Sequence, residues 1–346
     1  MGRGMIRELR VRNFKSLRDV SLSCRRINVI IGEPATGKSN LLEVIGVLSW
    51  PGRGHLRDFV RMDDMTDLFY AHDLRNAVSI SAGDLEIRIS ASGGGYAFES
   101  RKAGNPPSGL RYALNADGTL RQIALQEIAL QGVPSEHEVF KFYRFPASGI
   151  SGNVQDERYL LPPDGRNLST IVLTNGGLRE AARSIVMRYG LKLVFVKPDE
   201  RMEFQMELEE GVVVSFAPRL VSDTILRLIF NLAAVESNRD SVVALEEPEA
   251  HTFPYYTKYL AERIALGGDG NQFFITTHNP YFLMSVLEKA RKDEVAVHVA
   301  RLEGNQTRVR TLGDEEMEEM MDLGADVFFN LDRLAPRRPD AASDAR

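Results

Sequence analysis

Apolar residues recur along this chain with two periods, and the switches between them outline an α/β protein. Ile6–Phe14 alternates apolar and polar residues and predicts a half-buried strand. Ile27-Asn-Val-Ile-Ile31 is too apolar for anything but a central strand, and the helix after it presents Leu41, Leu42, Ile45 and Leu48 on one face before Pro51 stops it. Leu85, Ile87 and Ile89 alternate with Glu86, Arg88 and Ser90, then Gly93-Gly-Gly95 turns the chain into Tyr96-Ala-Phe98, an antiparallel hairpin with one wet face. Val139–Tyr143 reads as a strand, and 167–190 reads as helix interrupted at Asn175-Gly-Gly. Phe204, Met206 and Leu208 with Val212–Phe216 predict a second hairpin, and Ser222–Val235 an amphipathic helix.

From 241 the pattern becomes βαβα: a strand at Val242–Leu245, a helix from about 255, the strand Gln272–Thr276, another helix, and the strand Val295–Ala300. Such alternation predicts a mostly parallel sheet covered on both faces. Segments 103–135 and 148–166 are weakly patterned or rich in turn residues and read as connections. The expected division is a core lobe of 1–102 and 236–335, an inserted lobe of 103–235, and a polar, disordered tail of 336–346.

Two short strings give this frame its chemistry. Gly32-Glu33-Pro34-Ala35-Thr36-Gly37-Lys38-Ser39 lies between the apolar strand and the amphipathic helix, which is the context of a phosphate-binding loop. Its glycines let backbone N–H groups approach phosphate oxygens, Lys38 supplies charge, Ser39 a magnesium ligand, and the helix N-terminus its dipole. Leu245-Glu246-Glu247-Pro-Glu249 places adjacent carboxylates at a buried strand end, where desolvation and repulsion oppose them unless a divalent cation intervenes. Glu246 is the expected metal ligand, with Ser39, and Glu247 the residue that polarises an attacking water. His278 follows another strand end and would reach the same crevice. ATP and Mg²⁺ are therefore the expected ligands, and the fold class is an α/β P-loop NTPase with a mixed, mostly parallel central sheet, an antiparallel β subdomain and an inserted α/β lobe.

Composition narrows this further. The net charge of −5 argues against a nonspecific coat for nucleic acid, although residues 1–26 are basic and read as a solvated strand face or as a phosphate-facing edge. Cys24 is the single cysteine, so no internal disulfide forms. No apolar run reaches membrane-spanning length and no signal-peptide core follows Met1, so a cytoplasmic location is expected.

Asn13-Phe14-Lys15-Ser16, the glycine loop continued through Asn40-Leu-Leu-Glu43, Leu245–His251 and Thr276-Thr-His-Asn-Pro280 together resemble the ABC-type ATPase heads of the OLD class, relatives of SMC and double-strand-break-repair ATPases. The resemblance implies ATP sandwiched in a homodimer, with a signature segment matching Ser222–Arg227 that brings Ser222 to the partner's γ-phosphate. It also implies an effector protein or DNA as partner, in antiphage defence or DNA repair. Thr224 stands where such signatures carry glycine, Glu246 replaces the commoner aspartate, and Pro34 removes one loop N–H. Gln126, Gln131 and Gln155 are all candidates for the glutamine that joins the lobes. The chain lacks an Asp-x-Asp pair after His278, so no TOPRIM nuclease is expected, and no heptad run predicts a coiled coil. An AAA+ ring ATPase fits less well, because a whole lobe separates Lys38 from Glu247. A non-hydrolysing scaffold and a small-molecule kinase are the other readings, the first supported by Thr224.

Overall fold

The computed structural model describes residues 5–103, 108–121, 133–147, 149–150, 154–267 and 269–334. Its centre is a six-stranded sheet. The phosphate-loop strand β3 (Ile27–Ile31) pairs in parallel on one side with β14 (Val295–Glu303) and on the other with β13 (Gln272–Thr276). β13 is followed by β12 (Val242–Glu246) and, at the edge, β8 (Phe140–Tyr143), all parallel. β15 (Gln306–Thr311) closes the opposite edge antiparallel to β14. The expected mixed, mostly parallel sheet is what forms.

Period-two alternation in these strands divides the interior into two cores, one on each face of the sheet. Val29 and Ile31 of β3, Val243 and Leu245 of β12, and Phe273 and Ile275 of β13 point to the face covered by the helices Asp223–Glu236, Pro254–Leu266 and Pro280–Lys289. Ile30, Val242, Ala244 and Phe274 point to the other, where the helix Lys38–Ser49 packs. That second core is shared with an antiparallel sheet in the order β2-β1-β4-β5-β6-β7, made of β1 (Glu8–Phe14), β2 (Leu17–Ser23), β4 (Val78–Ala82), β5 (Leu85–Ser92), β6 (Gly95–Lys102) and β7 (Ser108–Leu114). A small antiparallel sheet of β9 (Lys192–Val196), β10 (Arg201–Glu209) and β11 (Val212–Phe216) sits beyond the helix Gly176–Met187.

Cations of the basic N-terminal stretch pair with carboxylates both near and far along the chain. Arg10 meets Glu8 at 2.6 Å and Arg12 meets Asp19 at 3.4 Å on the exposed side of β1, while Arg26 reaches Glu294 at 3.0 Å. The interruption at Asn175 is a helix start, its side chain accepting the Leu178 N–H at 3.0 Å. Among the described residues, no helix is long and apolar enough to cross a membrane.

Two buried histidines are expected to make the fold acid-sensitive. His137 must donate from Nδ1 to the Leu48 carbonyl at 2.7 Å, leaving Nε2 to accept from Ser100 at 2.8 Å. His298 lies between Thr311 and Asn28. Burial pushes both rings down to about 4. Both stay neutral in the folded state while the unfolded chain takes up protons below about 6.5, so stability falls with decreasing pH between about 6.5 and 4. The expected slope is about 1.4 kcal/mol per pH unit for each histidine. Urea titrations of wild type and His137→Gln at pH 7 and pH 5 check it: the variant should lose less stability on acidification.

Candidate functional site

The glycine loop leaves β3 at the C-terminal edge of the sheet and turns directly into the helix Lys38–Ser49. Gly32 and Gly37 have φ of 150° and 90°. A Cβ on Gly32 would stand 2.2 Å from the Ala300 carbonyl oxygen, and one on Gly37 would stand 2.0 Å from Thr307 Oγ1, so glycine is required at both by conformation and by space. The loop is braced from outside: the Thr307 hydroxyl donates to the Thr36 carbonyl at 2.9 Å and lies 2.6 Å from Ser16 Oγ, which also accepts from Asn40 at 2.7 Å. Glu33, Pro34 and Ala35 form the exposed crown, and the Thr36 hydroxyl closes it by donating to the Glu33 carbonyl at 2.8 Å.

Gly37 caps the helix without a side-chain acceptor, and no acidic residue occupies the first turn. Its leading N–H groups and dipole are therefore free of a built-in anion. Lys38 is buried and donates to the Gly32 and Glu33 carbonyls at 2.9 and 2.6 Å. Burial pushes its amine down to about 8, opposed by Glu247 and Glu33.

The carboxylates converge on this loop. Burial raises the Glu246 carboxyl, but Arg144, Arg61 and a hydrogen bond from Ser39 together hold it below the usual range. Arg144 Nε lies 2.9 Å from one Glu246 oxygen, and Arg61 is paired with the other. The same arginines contact the buried Glu43 at 2.9 Å each, and Lys15 completes the cluster at 2.5 Å. Three cations thus enclose two carboxylates, an arrangement that sequence spacing did not reveal. Removing one member strands the rest: Glu43→Gln is expected to cost about 3 kcal/mol in urea unfolding.

Glu247 adopts φ of 42°, a left-handed conformation for a non-glycine residue, and its N–H donates to the Thr276 carbonyl at 3.1 Å. This turn directs its carboxylate to His278 Nε2 at 3.3 Å. The hydrogen bond with His278, against desolvation, lowers the Glu247 carboxyl, so it is ionised at neutral pH. Burial pushes Glu249 the other way, up to about 7.

Ser222 lies elsewhere. It begins the helix Asp223–Glu236, beside a cavity of about 710 Å³ lined in part by Leu220, Thr224 and Phe253. Among the described residues, no hydrogen bond joins it to the glycine loop of its own chain. The Thr224 hydroxyl donates to the His251 carbonyl at 2.7 Å, tying the signature-like segment to the loop after Glu249. Gln155 is exposed, whereas Gln126 and Gln131 lie outside the described residues, as do the tail residues from 335.

A sheet of this order, with a glycine loop feeding a helix, defines a P-loop NTPase-like architecture. The chain superposes on an SMC head bound to the C-winged helix domain of ScpA with a TM-score of 0.52, 14% identity and coverage of 90% of this chain and 99% of that one. It superposes on an SMC head with an extended coiled coil, bound to a C-terminal domain of ScpA derived from Pyrococcus furiosus, with a TM-score of 0.51, 12% identity and coverage of 92% and 98%. At such identities the likeness is one of fold. The DNA replication and repair protein RecF of Bacillus cytotoxicus is 34% identical over 93 residues, and that match spans 25% of this chain and 24% of RecF.

The family described as “AAA domain, putative AbiEii toxin, Type IV TA system” matches residues 66–285, more than half of the chain, and the chain belongs to that family. The matched range holds Glu246, Glu247 and His278 and begins after the glycine loop. This is an AAA ATPase domain with the fold of an SMC-type head.

Proposed function

We propose that this chain is an ATP-gated dimeric switch that binds MgATP at the glycine loop, hydrolyses it slowly, and thereby changes its hold on an effector protein or on DNA. The observation that carries the reading is the meeting of three strand ends: Lys38 and Ser39 after β3, Glu246 and Glu247 at β12, and His278 after β13. Loop N–H groups and Lys38 would hold the β- and γ-phosphates. Ser39 and Glu246 offer the hard oxygen donors that magnesium takes alongside phosphates and water, and Ser39 is near enough to Glu246 to help hold its carboxyl low. When bound there, the ion supplies neutralisation of phosphate charge. Glu247 would accept the proton of the attacking water, while His278 orients it and the γ-phosphate.

In this reading Ser222 completes the site of a second copy, which suits its place among the residues lining a cavity that includes none of its own glycine loop. Analogy supports the partner class: SMC heads are seen with ScpA domains, RecF is named for DNA replication and repair, and the matched family is named for a toxin system. Antiphage defence or DNA repair is the setting these names suggest. A second reading, an ATP-bound scaffold that does not hydrolyse, is favoured by Thr224, which fills a glycine position and is tied to His251. Phosphate release by the purified chain, with and without DNA, decides between them. Magnesium-dependent turnover is expected, and none under either condition would select the scaffold.

A further inference from the structure

Glu249 has no part in the chemistry above, yet it is more buried than Glu246 or Glu247, at 5% exposure. Its Oε1 accepts from the Thr277 hydroxyl at 2.5 Å and from the His278 N–H at 3.4 Å, while Oε2 is buried with no hydrogen-bond partner among the described residues. The Thr277 oxygen also accepts the Asn279 N–H at 3.0 Å. Asn279 caps the next helix, accepting from Tyr281 N and Phe282 N at 2.9 and 3.2 Å. The turn carrying His278 is therefore tied downstream to a helix and upstream to one carboxyl. That carboxyl is separated from Glu247 only by Pro248, whose ring fixes φ and whose carbonyl accepts from Asn231 at 2.9 Å.

We propose that Glu249 is a positioning residue: by clamping the Thr277–Asn279 turn to the carboxylate loop, it sets the placement of His278 against Glu247. The inference rests on the reading of that pair as the hydrolytic one. Glu247 and His278 side chains are 41% and 38% exposed and meet through a single 3.3 Å contact. Half-exposed pairs of this kind hold geometry poorly by themselves. The buried anchor supplies what the surface contact lacks, because its hydrogen bonds are shielded from water and have no competing partner. A glutamine keeps the acceptor at Oε1, whereas alanine removes it.

The test compares Glu249→Ala and Glu249→Gln with wild type by steady-state phosphate release, fluorescent ATP-analogue binding, melting temperature, and NMR of labelled histidine, with His278 assigned through His278→Asn. Alanine is expected to lower kcat about thirtyfold with nucleotide affinity within about threefold, and glutamine to recover kcat to within about threefold. In the Glu249→Ala variant the His278 ring signal should move to its position in Glu247→Ala, where the contact is lost. Wild-type kcat with an unmoved ring signal in Glu249→Ala would overturn the clamp. So would equal loss of kcat, affinity and melting temperature, which marks a fold staple only. Should wild type release no phosphate, the proposed hydrolysis fails by itself, and the His278 signal still decides the clamp.

Discussion

Glu247→Gln is expected to slow ATP turnover about a thousandfold while leaving ATP affinity within a few-fold of wild type, the loss being that of a general base. Glu247 stands outside the Glu43–Glu246 cluster and, among the described residues, forms no ion pair with an arginine. Its contact is His278, and its long-range attraction is to Lys38. The His278 hydrogen bond keeps its carboxyl low, so the base is ionised at neutral pH, and turnover should fail only as acid protonates it. Glutamine preserves size and the backbone turn but cannot accept the proton. With hydrolysis blocked, ATP should hold two copies together, and a size-exclusion profile with and without MgATP checks this. An elution volume unmoved by nucleotide in the variant would contradict the sandwich, and wild-type turnover would remove Glu247 from its role.

Lys38→Ala should weaken ATP binding about a hundredfold or more, roughly 3 kcal/mol for charge-assisted contacts to phosphate. The ammonium rests on the Gly32 and Glu33 carbonyls, so phosphate binding exchanges one set of acceptors for a stronger one. Those carbonyls do not collapse without it, because Thr36 still donates to Glu33 and Thr307 still holds Thr36. A melting temperature near wild type should therefore accompany the loss of binding, and Lys38→Met, which keeps the buried stem, controls for packing. The sign of the pH effect follows from burial. The free amine titrates near 8 and a bound phosphate raises it, so above pH 8 binding must take up a proton and affinity falls as pH rises. Calorimetry in two buffers of different ionisation enthalpy reads that proton directly. Undiminished affinity in Lys38→Ala would dismiss the loop as the nucleotide site.

The loop, the carboxylate pair and the histidine after β13 were readable in the chain because their chemistry is local. A glycine loop announces itself by spacing between a strand and a helix, and Glu246-Glu247 by an acid pair ending an apolar run. The parallel core was readable for a similar reason, since strands buried on both faces are nearly continuous apolar runs. Elements whose partners are remote in sequence were hidden. β8 looked like an isolated strand, and only pairing with β12 about a hundred residues later makes it the sheet's edge. β2, β4, β7, β9 and β15 carry short or mixed patterns that gain meaning from neighbours across a ladder.

The polar scaffold of the site was hidden in the same way. Arg61 reaches Glu246 across 185 positions, Arg144 reaches Glu43 across 101, and Ser16 reaches Thr307 across 291. No period or motif encodes such contacts, because an ion pair constrains where two side chains end and says nothing of the chain between them. The sequence by itself determined where a glycine loop joins an apolar strand to a helix and which strand end carries paired acids. Tertiary structure alone decided that three cations enclose Glu43 and Glu246, that Thr307 braces the loop, and that buried Glu249 joins the turn after β12 to the turn carrying His278, since each depends on bringing distant backbone segments within hydrogen-bond reach.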